Sequence, residues 1–173
     1  MKQKRSVLHL IFAALFAALI TVFTAWLFHI PIQIGANTAY LHFGDAFVFL
    51  AASLLPTPYA AAAAAIGGGL ADVFCGAAIW APFTMVIKAL LAICFSARGA
   101  RILTRRNLLA PLPVLVLTVG GYYVAEAVLY GNWVTPALSI LGNIVQIVGS
   151  TFIYILLSLA LERFRIKDRI GHF

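Results

Sequence analysis

The chain has 173 residues, is 64% hydrophobic and only 10% charged, and has a mean hydropathy of +1.04. A soluble domain is about half apolar and about a quarter charged, so this composition excludes an ordinary soluble fold and indicates an integral membrane protein. The net charge of +7 does not imply a nucleic-acid partner, because the Lys and Arg residues lie in short clusters between apolar runs, as topogenic signals do.

The first apolar run, 7–28, follows Lys2, Lys4 and Arg5. It is longer than the roughly 7–15 apolar residues of a secretory signal, which predicts a retained first helix. Ala13/Ala17 and Ala14/Ala18 form two overlapping small-xxx-small pairs on which another helix can pack closely. Residues 29–40 read as a polar break with Pro31, Gln33, Gly35 and Asn37. A short second span, 43–55, ends at Pro56-Thr57-Pro58, because proline cannot continue a helix and restricts the residue before it. The third span, 59–74, is rich in alanine and holds Gly67-Gly68-Gly69, which is no phosphate loop because no Gly-Lys-Ser/Thr follows. A turn at 76–81 leads to a fourth span, 82–95, and a loop with Arg98, Arg101, Arg105 and Arg106. The fifth span is 108–129, the sixth is 137–161, and Trp133 lies in the turn between them. Arg163, Arg165, Lys167 and Arg169 follow the last span. Cys75 and Cys94 show neither ligand spacing nor a disulfide framework.

These elements predict a single all-α domain, 1–173, of six transmembrane helices. Six spans place both termini on one side. Every Lys and Arg except Lys88, eleven of the twelve, then falls on that same side. By the positive-inside rule it is the cytoplasm, so the expected location is the cell membrane with both termini cytoplasmic.

The polar groups within the spans are costly in a bilayer and therefore informative. Asp45 lies near the outer start of span two. At ~1.5 Å per helical residue, Asp72 and Glu126 lie roughly 6 Å in from the outer face, Lys88 and Asn143 roughly 9 Å, and Gln146 roughly 14 Å. Tyr122 shares a helix face with Glu126, and Asn143 with Gln146. Trp80 and Trp133 border the same outer face. Together they suggest an outward cup with an apolar floor, because few polar groups of these kinds appear in the inner half. Each group also has a plainer role. Asp45 suits a first-turn helix acid and Asp72 an interfacial acid. Lys88 suits an ion pair with Asp72, Asp45 or Glu126. Asn143 and Gln146 suit interhelical bonding, and the tryptophans an aromatic belt. His9, His29, His42 and His172 lack metal-ligand spacing, and no GxSxG nucleophile signature occurs, so neither catalysis nor a cofactor or metal site is expected.

Three blocks resemble a known family. Leu41-His42-Phe43-Gly44-Asp45-Ala46-Phe47-Val48-Phe49-Leu50-Ala51-Ala52 is similar to the loop-to-span-two signature of substrate-binding S components of energy-coupling factor (ECF) vitamin transporters. Ala65-Ile66-Gly67-Gly68-Gly69-Leu70-Ala71-Asp72 and Pro82-Phe83-Thr84-Met85-Val86-Ile87-Lys88 resemble the next two blocks of the riboflavin-transporter-like branch. The alanines of span one resemble the AxxxA motif that docks on the coupling subunit. The resemblance implies an S-component-like bundle that captures a vitamin or related micronutrient from the outer face. Its implied partners are a transmembrane coupling subunit and two cytoplasmic ATPases. Asp45, Asp72, Trp80, Lys88, Tyr122, Glu126, Trp133, Asn143 and Gln146 become the candidate substrate contacts, and Ala13, Ala14, Ala17 and Ala18 the candidate docking face. Two other classes stay open: an assembly subunit whose polar residues are buried glue, and a self-sufficient secondary carrier.

Overall fold

The computed structural model describes residues 2–27, 30–34 and 37–167. Among the described residues, seven helices and one hairpin follow in order. Helix α1 is Lys2–Ala25, and strands β1 (Ile30–Ile34) and β2 (Asn37–Leu41) follow. Then come α2 (Gly44–Leu54), α3 (Thr57–Phe74), α4 (Ala81–Cys94), the short α5 (Arg105–Leu109), α6 (Pro111–Tyr130) and α7 (Ser139–Arg163). Single 3-10 turns at Ala78–Trp80 and Thr135–Leu138 lead into α4 and α7.

The punctuation expected from proline holds. Leu55 is extended before Pro56, which closes α2, and Pro58 and Pro82 sit in the first turns of α3 and α4, where a missing N–H is harmless. Thr104 caps α5 by accepting the Asn107 N–H at 3.2 Å. Gly131, at φ 63°, ends α6 in the left-handed conformation that suits a residue without a side chain.

Two expectations need correction. The segment 29–40 is no mere polar break: β1 and β2 pair antiparallel from Ile30↔Leu41 to Ile34↔Asn37. Helix α1 starts earlier than residue 7 and ends at Ala25, while the expected end at residue 28 lies outside the described residues.

Among the described residues, three stretches are apolar and long enough to cross a membrane: Ser6–Ala25, Arg105–Tyr130 and Thr135–Arg163. Gly44–Leu54 and Ala78–Cys94 are shorter apolar helices. The shortness of α2 has a structural counterpart. Every α2 residue except Phe47 is buried, and α1, α3, α4 and α7 pack around it. A helix shielded by its neighbours need not match the bilayer thickness, since it faces protein rather than lipid. The outer surfaces of the long helices carry the reverse pattern, with Ile11, Val116 and Phe152 each at least 60% exposed. This apolar exterior and buried polar interior are the arrangement lipid requires.

Helix α3 fits tightly between α1 and α4 because of its glycines. A Cβ on Gly67 would come within 2.7 Å of the Ala17 carbonyl oxygen, and one on Gly69 within 2.6 Å of Met85 Cγ. The triple glycine is thus a packing surface.

Candidate functional site

The first turn of α2 carries Asp45, which is fully buried where the helix dipole favours an acid. Lys88, one residue past the middle of α4 and 1% exposed, donates from Nζ to Asp45 Oδ1. Gln146 of α7 donates from Nε2 to Asp45 Oδ2 at 2.7 Å. Both carboxylate oxygens are therefore engaged, and three helices are tied at one point. The stem of Lys88 reaches this position across α3. A Cβ on Gly68 would meet Lys88 Cγ at 2.9 Å and Thr84 Cγ2 at 3.0 Å.

Tyr122 of α6 extends the cluster. Its ring centroid lies 5.8 Å from Lys88 Nζ, within cation–π reach. Its hydroxyl donates to Thr84 Oγ1 at 3.4 Å. Thr84 lies one turn before Lys88. Asp72 lies one turn beyond Gly68 on α3, and its Oδ2 is buried without a hydrogen-bond partner among the described residues. The Trp80 ring lies 6.5 Å from Tyr122 and 6.1 Å from Tyr130. The structure thus brings together Asp45, Asp72, Trp80, Lys88, Tyr122 and Gln146, from α2, α3, α4 with its leading turn, α6 and α7.

The other candidates stand differently. Glu126 is buried one turn beyond Tyr122, and Asn143 is half-buried one turn before Gln146. Neither has a hydrogen-bond or ion-pair partner among the described residues. Trp133 is not part of the cluster: it is 60% exposed, and its carbonyl accepts the Tyr123 hydroxyl at 2.5 Å. Among the described residues no three His, Cys, Asp or Glu side chains are placed to hold a metal ion.

Thr84 was missed as a site residue, although its i−4 spacing from Lys88 signals a shared face. The expected apolar floor also needs correction. Helix α7 carries Gln146, Ser150, Tyr154, Ser158 and Glu162 at four-residue intervals, and the first four are buried. Tyr154 lies 2.9 Å from Ser53 Oγ, and Ser53 in turn donates to the Phe49 carbonyl at 2.8 Å. Glu162 accepts the amide N–H groups of Ile102 at 2.6 Å and Leu103 at 2.9 Å. A polar seam therefore runs beneath the charged cluster toward the loop after α4.

The alanines separate cleanly. Ala13 and Ala17 are buried, and Ala17 faces Gly67 of α3. Ala14 and Ala18 are exposed on a stripe with Ile11 and Leu15.

An apolar helical bundle with a buried polar cluster spanning five of its elements has the architecture of a membrane-embedded protein. The family model described as "ECF-type riboflavin transporter, S component" matches residues 4–163, and the chain belongs to that family of transporter substrate-binding subunits. No curated protein matches it in sequence.

Proposed function

We propose that this chain captures riboflavin, or a closely related flavin, from the outer face of the cell membrane for an ATP-driven importer. The family match over residues 4–163 carries this reading, and the cluster around Asp45 and Lys88 supports it. The bundle crosses the membrane six times with both termini cytoplasmic, the arrangement that the segregation of basic residues favours. The protein is a binding subunit and not an enzyme. A transmembrane coupling subunit and two cytoplasmic ATPases supply the energy.

Within the site, the roles divide by how far each group is already satisfied. Asp45, Lys88 and Gln146 satisfy one another, so they fix the wall of the pocket. Glu126 and Asn143 offer unshared polar atoms to the ring edges and hydroxyls of the ligand. Trp80 and Tyr122 offer aromatic faces to a flat ring system, and Asp72 offers Oδ2. Trp133 stands at the rim. On the opposite side of α1, Ala14 and Ala18 form the docking stripe for the coupling subunit, because Ala13 and Ala17 are buried within the bundle.

The test is titration of the purified protein with riboflavin, followed by flavin fluorescence, together with mass spectrometry of any small molecule that co-purifies. Stoichiometric quenching and a bound flavin are expected. A protein that neither carries nor quenches flavin refutes the assignment.

A further inference from the structure

The end of the bundle that carries the loop after α4 and the residues after α7 holds a cavity of about 420 Å³. Ala100, Arg101, Ile102, Glu162, Arg165 and Lys167 are on its wall. Two of the charged groups are already committed. Lys167 is buried, and its Nζ donates to the carbonyls of Ala97 at 3.0 Å, Gly99 at 2.7 Å and Arg101 at 3.1 Å. Glu162 holds the Ile102 and Leu103 amides through Oε1, so two N–H dipoles face its charge.

Arg101 and Arg165 are different. Both are exposed, and neither guanidinium has a hydrogen-bond or ion-pair partner among the described residues. Arg165 also has φ 51°, just past the end of α7. Glycine is the favoured residue in that left-handed position, and a side chain there is strained. Arg101, Arg165 and Lys167 thus set three cations against the single carboxylate of Glu162 among the residues described on the cavity wall, so its field is positive. Planar guanidinium forks match the paired oxygens of a phosphate.

The surroundings are those of a lipid boundary. Phe164, directly before Arg165, is 62% exposed, and α5 leaves Leu108 and Leu109 exposed after the same loop. We propose that the cavity seats a phosphate group between Arg101 and Arg165, supplied by the headgroup of an anionic phospholipid.

Native mass spectrometry of the full chain released from detergent, with dioleoylphosphatidylglycerol or dioleoylphosphatidylcholine added, tests this. The native sequence should retain phosphatidylglycerol in preference to phosphatidylcholine. Arg101→Gln with Arg165→Gly should lower that retention at least tenfold; the glycine relieves the left-handed strain, so the variant should keep its melting temperature without lipid. Arg105→Gln removes an exposed cation of the same region that is not on the cavity wall, and should change retention less than twofold. Equal retention of both lipids, or an equal loss in Arg105→Gln, overturns the proposal in favour of diffuse surface charge. A parallel melting series with inorganic phosphate separates the sources. No shift supports the lipid headgroup. A shift abolished by the double variant upholds the phosphate site but overturns the lipid as its occupant.

Discussion

Replacing Lys88 by Met removes the ammonium and leaves Asp45 fully buried with Gln146 still donating to it. Breaking one partner of a buried pair costs about 3–5 kcal/mol, because the remaining charge has no water to recover. Loss of the cation–π contact with Tyr122 lies within the same removal. For a chain of this size that corresponds to a fall in melting temperature on the order of 10 °C. The assay is thermal unfolding in detergent micelles, read by intrinsic fluorescence. Adding Asp45→Asn removes the stranded charge, so the double variant should recover about 2–3 kcal/mol of the loss, a coupling typical of contacting residues. Loss below about 1 kcal/mol in the single variant, or strictly additive losses in the double, would refute the ion-pair argument. The double variant also tests the proposed division of roles. Flavin affinity within about threefold of the native value is expected if Lys88 only supports the wall. A loss of tenfold or more with stability recovered assigns its ammonium to the ligand.

Three further outcomes follow from the geometry. Asn143→Ala should weaken flavin binding about tenfold, the worth of one hydrogen bond of ~1–1.5 kcal/mol, with melting unchanged; fluorescence titration checks it. Ala14→Leu with Ala18→Leu should preserve flavin binding but abolish uptake and co-purification of the coupling subunit, whereas Ala17→Leu should destabilise the isolated protein by crowding α3. Gly67→Ala should cost about 1–2 kcal/mol through overpacking against the Ala17 carbonyl. Gly120→Ala, where an added Cβ meets nothing within 4 Å, should instead stabilise by about 0.5–1 kcal/mol, and paired melting curves separate the two.

Helix ends marked by Pro56, Pro58 and Pro82 were legible because proline acts locally on the backbone. The hairpin was not recognised, although Ile30-Pro31-Ile32-Gln33-Ile34 alternates as a strand does; Pro31 and the polar residues beside it read more readily as a break. The identity of the ionisable groups was plain from hydropathy, but the choice of Asp45 over Asp72 or Glu126 for Lys88 was not. That choice depends on how closely α3 admits the Lys88 stem, which Gly68 decides through packing. The two alanine pairs of α1 are only one residue apart, so only the position of α3 distinguishes the inner pair from the outer. The hydroxyls at 150, 154 and 158 went unnoticed because serine and tyrosine scarcely lower the hydropathy of a long apolar run.

The four-residue spacing on α7 also has a mechanical meaning. Four residues advance a helix by about 400°, so a row at that spacing drifts only about 40° per step. Sliding α7 by one residue would rotate it by about 100° and pull the whole row out of register at once. Over the four steps from Gln146 to Glu162 the row winds about 160° around α7, so its two ends grip different neighbours. Gln146 grips one end of the molecule through Asp45, and Glu162 grips the other through the Ile102 and Leu103 amides. A tilt imposed at the loop end must arrive at the charged cluster as a turn of the whole body, with little torsion lost between them.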